Sequence, residues 1–361
     1  MSALVMTGAS GFLGWHVRVL ARALGLPAPI VVGPTEFADP RRLAELLDGA
    51  DRVLHLAGVN RGEPAQVAAG NFELAKALAV GLRRCMTPPK IVAFANSTQA
   101  GNATPYGDSK AAAGTLLAEV TRWSGSQFTD LRLPNLFGEH ARPRYNSVVA
   151  TFCQTLADGG TPRIDDDREL ELLHATDAAA LLLGTWVDAP PVRRTVRQLA
   201  GQLQRFAELY RTGDLPELAD RFAVRLFNTY RSQGFPANSP IPLTRHADAR
   251  GELVEAVRAY GGGQTFFSST GPGVTRGEHF HLAKVERFVV LRGEAEIRLR
   301  RVLHDDVVRF RVSGTEPVIV DMPTMWAHNI TNVGTGELLT LFWSNDIFDP
   351  AQPDTYPEKV S

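Results

Sequence analysis

One stretch constrains this 361-residue chain more than any other: Gly273-Val-Thr-Arg-Gly-Glu-His279-Phe-His281-Leu-Ala-Lys-Val-Glu286-Arg-Phe-Val-Val-Leu-Arg-Gly293, with the spacing G-x5-H-x-H-x4-E-x6-G. Further on comes Pro323-Thr-Met-Trp-Ala-His328-Asn-Ile-Thr-Asn332. Residues two apart on a strand share a face, so His279 and His281 are expected to point together into a barrel. Glu286 opens the next strand, and His328 arrives from a distant one. Three imidazoles and a carboxylate converging there suit a divalent metal, zinc first, with iron, manganese or nickel as alternatives. Lone histidines carry no such pattern, and His16, His140, His246 and His304 are read as core or surface residues.

The surrounding segments fit a barrel. From Glu252 onward they are short and strand-like: 264–268, 286–291, 295–299, 307–312, 318–321 and 338–342. Gly261-Gly-Gly, Gly271-Pro-Gly, Arg292-Gly, Ser313-Gly and Gly334-Thr-Gly punctuate them, as in an all-β sandwich or barrel. The earlier half reads differently. Strands at 3–7, 30–32, 52–56 and 90–94 alternate with helices at 12–24, 41–47, 71–84 and 111–123, which implies a parallel sheet covered on both faces. Further helical patterns run over 177–187 and 194–210. The proline-rich segment Pro236-Ala-Asn-Ser-Pro-Ile-Pro-Leu-Thr244 suits neither a helix interior nor a central strand and reads as a linker. The expected organisation is an α/β domain over 1–243 and an all-β domain over 244–361.

Bulk properties exclude several classes. The formal net charge of −1 is spread over both signs, with no basic stripe for nucleic acid or an anionic membrane. No apolar run approaches the roughly 20 residues that span a bilayer. The start, Met1-Ser-Ala-Leu-Val-Met-Thr-Gly8, has no basic region and does not read as a signal peptide. Cys85 and Cys153 are isolated, which fits a reducing cytoplasm.

The N-terminal half carries a second constellation. A strand, the turn Gly8-Ala-Ser10-Gly11-Phe12-Leu13-Gly14 and a helix start would set backbone N–H groups and the helix dipole against a pyrophosphate. Gly8 permits the tight turn, Gly11 the approach of phosphate, and Gly14 the close packing of helix on strand. Tyr106-Gly-Asp-Ser-Lys110 places a phenol and an ammonium one helical turn apart, with Ser97 upstream. A neighbouring ammonium is expected to lower the phenol pKa and equip it for proton transfer to a carbonyl oxygen. No carboxylate follows the second strand until Glu36, which favours NADP over NAD; Arg41 or Arg42 could meet its extra phosphate, or simply belong to a solvated helix face.

These residues resemble the extended short-chain dehydrogenase/reductase family over residues 1–235, with Asn71, Leu131-Arg132-Leu-Pro-Asn135-Leu-Phe-Gly138 and His174-Ala-Thr-Asp177 extending the match. The resemblance implies a Rossmann-type sheet and a catalytic set of Ser97, Tyr106 and Lys110. It implies cofactor contacts from Gly8, Ser10, Gly11, Phe12, Leu13, Gly14 and Ala57 as well as Tyr106 and Lys110, and substrate contacts from Asn60, Arg132 and Asn135. Two departures are a short stretch between the second and third strands and a short Ser-to-Tyr gap; Thr98 is an alternative hydroxyl. The C-terminal half resembles a cupin, with Met325 where glycine is common. Some sugar-epimerising cupins use histidine as a base without metal.

The two halves together resemble the bifunctional capsular-polysaccharide enzymes of bacteria over nearly the whole chain. The matches include Ala57-Gly-Val-Asn60-Arg61, Ser97-Thr-Gln-Ala100, Asp248-Ala-Arg-Gly251, Thr331-Asn-Val-Gly334 and the tail Asn345-Asp-Ile-Phe-Asp-Pro-Ala-Gln-Pro-Asp-Thr-Tyr356. That resemblance implies a UDP-4-keto-6-deoxy-HexNAc substrate on the route to UDP-N-acetyl-L-fucosamine. It also implies C3 epimerisation by the cupin, C4 reduction with NADPH, and a homodimer. Lys284 is a candidate base or substrate contact. The narrower alternative is an NADPH-dependent ketosugar reductase whose cupin only binds sugar or builds a dimer.

Overall fold

The computed structural model describes residues 3–185 and 188–361. They form two compact units: residues up to Phe137 with 144–147 and 169–194, and residues 138–143, 148–168 and 195–361.

The first unit is built on β1 (Leu4–Thr7), α1 (Phe12–Ala23), β2 (Ile30–Val32), α2 (Pro34–Ala38), α3 (Pro40–Leu47), β3 (Arg52–His55), α4 (Pro64–Leu82), β4 (Ile91–Ser97), α5 (Pro105–Ser124) and β5 (Gln127–Leu133). The strands make one parallel sheet in the order β2-β1-β3-β4-β5. Val5, Val53, Val92 and Phe94 are buried with Leu43, Leu47, Leu78 and Leu117 from the helices, so apolar strand residues and amphipathic helices close one core. The connection after β1 runs to one side and β3 lies on the other. The sheet therefore has its switch point between β1 and β3, where open α/β sheets leave a crevice at the strand ends. The short stretch between the second and third strands holds only α2 and α3. A small sheet follows, with β6 (Asn135–Phe137), β7 (Glu169–His174) and β8 (Val192–Thr195). The helix expected over 177–187 runs Ala175–Leu183 and stops at Gly184, whose φ of 78° makes a left-handed cap; Trp186 and Val187 lie outside the described residues.

The second unit contains the helices Val148–Ala157, Val196–Tyr210 and Arg221–Gly234 and an all-β cupin barrel. One sheet runs β12-β19-β14-β17-β9 and the other β16-β15-β18-β13-β20. Their ranges are β9 (Ile241–Pro242), β12 (Gln264–Thr270), β13 (Thr275–Phe280), β14 (Glu286–Arg292), β15 (Glu294–Arg301), β16 (Val307–Ser313), β17 (Val318–Met322), β18 (Trp326–Asn332), β19 (Leu338–Ser344) and β20 (Tyr356–Pro357). A separate hairpin joins β10 (Arg245–Asp248) to β11 (Gly251–Val254). Phe288, Val290 and Phe342 from the first sheet meet Ile297, Leu299 and Ile330 from the second in one core. The expected linker is partly ordered as strand: Ile241 and Pro242 pair with Ile319 and Val318 at the sheet edge, where proline's missing N–H is tolerated. Arg287 and Asp321 form a fully buried bidentate pair at 2.8 and 2.9 Å, and Arg287 also donates to the Gly213 carbonyl at 2.6 Å.

Candidate active sites

In the first unit the glycine turn has the geometry its sequence requires. Gly8 sits at φ 70°, and a Cβ there would lie 2.6 Å from the Ala57 nitrogen. A Cβ on Gly14 would lie 2.2 Å from the Gly8 carbonyl oxygen. No side chain caps α1, which leaves its first-turn N–H groups for another acceptor. Ser10 and Phe12 occupy the turn and the helix start, whereas Leu13 packs toward Leu133, Leu173 and Ala178. Thr7 Oγ1 accepts from the Leu56 and Ala57 backbone nitrogens at 3.1 Å and bonds His55 Nδ1 at 2.9 Å, tying the ends of β1 and β3 together. Burial pushes His55 down to about 3, so it stays neutral. Asn71 accepts from the Val59 N–H at 3.1 Å and donates to the Val59 carbonyl at 2.8 Å, which fixes the segment carrying Asn60.

Ser97 ends β4, and Tyr106 lies in the first turn of α5, which Thr104 caps by accepting from Gly107 N at 3.1 Å. Burial pushes the Tyr106 phenol up, and its hydrogen bond with Ser97 partly opposes that. The lowering expected from Lys110 is not found. Lys110 Nζ instead donates to the Ala95 carbonyl at 2.8 Å and stands 4.5 Å from the Phe94 ring centre, and burial pulls its pKa down to about 8. A cleft of about 330 Å³ beside Tyr106 is lined by Asn60, Arg61, Val67, Thr104 and Pro105. Arg132 lies opposite Asn96 on β5 and reaches Asp130 at 3.7 Å; Asn135 on β6 donates to the Glu171 carbonyl at 3.1 Å.

In the second unit His279, His281, Glu286 and His328 come together, with ligand atoms all within 4.8 Å of one another. Strict alternation along one strand is not the reason. A bulge between Gly277 and His279 puts Glu278 at φ 62°, and β13 ends at Phe280, so His281 lies just past it. Met325 has φ 62°, which is why glycine suits that place; it is buried and donates to the His281 carbonyl at 2.7 Å. Lys284 Nζ donates to the Pro353 carbonyl at 2.8 Å and Thr355 Oγ1 at 3.3 Å. His16 is a buried residue bonded to Thr176 at 3.2 Å, and His140 accepts from Trp326 Nε1 at 3.2 Å.

The donor set fits a cation. His281 Nδ1 lies 2.6 Å from the Asp354 carbonyl oxygen and His328 Nδ1 lies 3.1 Å from that of Trp326. A carbonyl only accepts, so both Nδ1 atoms carry a proton, and in the neutral rings it is Nε2 that offers the lone pair. Those Nε2 atoms stand 3.2 and 3.3 Å from one Glu286 carboxylate oxygen, and His328 Nε2 is buried without a hydrogen-bond partner. A cation, or a proton on Nε2, between these nitrogens and the carboxylate satisfies both sides. Burial, then the neighbouring His328 and His281, push His279 down to about 3. Burial opposes ionisation of Glu286, but the two imidazoles outweigh it and hold its carboxyl well below the usual range.

Comparison with known proteins follows this two-part division. The description "NAD dependent epimerase/dehydratase family" matches residues 4–185, and "Polysaccharide biosynthesis C-terminal domain" matches residues 246–356. The UDP-2-acetamido-2,6-beta-L-arabino-hexul-4-ose reductase of Pseudomonas aeruginosa is 33% identical over 98% of this chain and 97% of its own length. The capsular polysaccharide assembling protein CapF from Staphylococcus aureus superposes with a TM-score of 0.59 at 31% identity, covering 99% of this chain and 100% of CapF. This chain belongs to the NAD dependent epimerase/dehydratase family and carries a polysaccharide biosynthesis C-terminal domain. Members of this family are NAD(P)-dependent nucleotide-sugar enzymes, and this chain is one of them. The UDP-N-acetylglucosamine 4-epimerase of Methanobrevibacter ruminantium, at 19% identity and a TM-score of 0.53, covers 64% of the chain and 97% of its own and shows the fold alone. Among the described residues no helix is long and apolar enough to cross a membrane.

Sequence reasoning missed the parts that hold these groups. Thr7, His55, Asp354 and Glu278 have no spacing signature, because their partners lie far away along the chain. Asp354 stood in a matched tail, which was the one available signal.

Proposed function

We propose that residues 244–361 epimerise C3 of a UDP-4-keto-6-deoxy-HexNAc and that residues 1–243 reduce its C4 ketone with NADPH, giving a UDP-2-acetamido-2,6-dideoxy-L-talose-type product for surface polysaccharide. One observation carries the reading: Tyr106, with Ser97 acting on its phenol, borders a cleft in one unit while three histidines and Glu286 converge in the other. The name of the Pseudomonas relative supports the 4-keto sugar and its reduction.

The ketone links the two steps. It acidifies the C3 proton, because the carbanion left behind is an enolate. A divalent cation, zinc by preference, held by His279, His281, Glu286 and His328 would supply positive charge to that developing oxyanion. The C3 base is open: Lys284 is a candidate, but its ammonium is engaged by the tail. NADPH, when bound, supplies the hydride to C4. Tyr106 donates its proton to O4, Ser97 steadies O4 by hydrogen bonding, and Lys110 orients the nicotinamide ribose. Gly8, Ser10, Gly11 and Gly14 bring the backbone to the pyrophosphate, with Phe12, Leu13 and Ala57 at its margins. Asn60, Arg132 and Asn135 contact the sugar. NADPH is preferred over NADH because no carboxylate ends β2, and the first one after it, Glu36, is engaged by the Gly33 N–H at 2.8 Å.

Phe267, Ile347 and Phe348 are 72%, 76% and 58% exposed near the free edge strand β12, which supports a homodimer through the cupin. The unpaired Cys85 and Cys153 fit a cytoplasmic location.

The test uses the full chain in heavy water with the ketosugar, with and without NADPH, followed by NMR. Deuterium at C3 without NADPH and a single C3-inverted, C4-reduced product with it are expected. NADPH consumption with no C3 deuterium would leave the cupin a binding or dimerisation module.

A further inference from the structure

Two of the four clustered ligands, His281 and Glu286, bound one short loop. The last residues of the chain hold that loop. The Asp354 carboxylate accepts from the backbone N–H groups of Leu282, Ala283 and Lys284 at 3.0, 2.8 and 2.7 Å. The carbonyl of the same residue accepts a hydrogen bond from His281 Nδ1 at 2.6 Å. Asp354 has φ 41°, a left-handed conformation that a non-glycine residue keeps only when its contacts fix it.

The tail then runs along the strand carrying His279. Tyr356 and Pro357 pair with Phe280 and His279, and Glu358 N donates to the Glu278 carbonyl at 2.9 Å. Val360 N donates to the Glu278 carboxylate at 2.7 Å. Arg300 anchors this end by donating to Glu358 at 2.8 Å and to the Val360 carbonyl at 2.9 Å. On its carbonyl side the loop is met by Arg225, which donates to Leu282 at 2.5 Å, and Asn228, which donates to Ala283 at 2.6 Å.

We propose that the C-terminal tail is the positioning element of the cluster, with Asp354 as the residue that aims His281. This rests on reading the cluster as a divalent-metal site. The argument is geometric. Three N–H groups on one carboxylate fix the peptide planes after His281. The Asp354 carbonyl sets the imidazole tautomer and rotation, so that the Nε2 lone pair faces Glu286 and not the loop. Outer partners of this kind commonly set metal affinity by about 10–100-fold.

The test compares the full chain with Asp354→Ala and Asp354→Asn. Zinc affinity is measured by competition with a chromogenic chelator, and cobalt(II) replaces zinc for its visible spectrum. The wild-type chain is expected to bind one ion. Asp354→Ala should weaken zinc binding by about 10–100-fold and alter the cobalt bands. Asp354→Asn keeps one acceptor oxygen but turns an amide toward an N–H donor, so it should fall between the two. NADPH binding, unchanged in both variants, reports a folded chain. A wild-type chain that binds no ion overturns the metal reading itself. A wild-type chain that binds while both variants match its affinity and cobalt spectrum overturns the role of Asp354, as does a lowered melting temperature with unaltered cobalt bands. If Asp354→Ala does not fold, the Asn variant alone decides.

Discussion

Ser97 at the end of β4 acts on Tyr106 in the first turn of α5: burial pushes the phenol pKa up, and Ser97 pulls it part of the way back. Burial keeps the phenolic proton on Tyr106 at neutral pH. Tyr106→Phe removes the proton donor with little change in shape. Substrate-dependent NADPH oxidation should slow by about 10²–10⁴-fold, the usual worth of a general acid, while NADPH affinity stays near wild type. Stopped-flow absorbance with the ketosugar measures the first and fluorescence titration the second. Oxidation at the full rate would remove Tyr106 from the acid's place.

Lys110 couples pH to activity and to stability in opposite directions. Burial lowers its pKa from 10.5 to about 8, with Asp130 opposing. Between these values the unfolded chain holds the lysine proton and the folded chain has released it. The unfolded state therefore binds more protons, and this lysine's contribution to stability rises as pH climbs through that window. Ketone reduction should fall as pH passes through about 8, where the folded chain loses the ammonium. A pH–rate profile beside urea melts checks both slopes, and Lys110→Met should remove this lysine's share of the stability slope.

Legibility differed between the two sites for a physical reason. Gly8, Gly11 and Gly14, Tyr106 and Lys110, and His279, His281 and Glu286 are local patterns, since a turn, a helix face or adjoining strands bring them together over a few residues. His328 was legible because a cupin repeats its second motif at a recognisable distance. The sheet order and the electrostatics were not. The order β2-β1-β3-β4-β5 depends on which side of β1 the chain returns to, and no residue type encodes that. The expected lowering of Tyr106 failed because a helical spacing of four fixes only the backbone. The ammonium found the Ala95 carbonyl instead, and burial of the phenol outweighed any attraction. The chain end was opaque for a similar reason: Asp354 meets Leu282 to Lys284 across the fold, with no periodicity to announce it.

The glycine turn makes a prediction independent of catalysis. A Cβ on Gly14 would lie 2.2 Å from the Gly8 oxygen and 2.8 Å from the Ala9 Cα, both backbone atoms that cannot rotate away. Gly14→Ala must push α1 off the turn, at a cost of about 1–3 kcal/mol. NADPH affinity should fall with it, because the N–H groups at the start of α1 move from the pyrophosphate. Zinc binding, in the other unit, should be unaffected. Calorimetry of both ligands on one sample separates these outcomes, and unchanged NADPH affinity would place the dinucleotide elsewhere.

Glu286 is the only carboxylate among the four clustered ligands, and one of its oxygens lies 3.2 and 3.3 Å from the Nε2 atoms of His281 and His328. Glu286→Gln keeps the shape and removes the negative charge a cation needs. The variant should fold, bind NADPH normally, and lose both zinc binding and C3 deuterium exchange. A chelator supplies the complementary test. Zinc bound only by the folded state stabilises it by mass action, by about 2.7 kcal/mol at a free concentration one hundred times the dissociation constant. Stripping zinc should therefore lower the melting temperature of the wild-type chain, and adding it back should restore it. The Glu286→Gln chain should melt at one temperature regardless of zinc. If wild type also ignores zinc and chelator yet still exchanges C3, the histidines act as bases without metal, and Glu286 is there to hold a proton between His281 and His328.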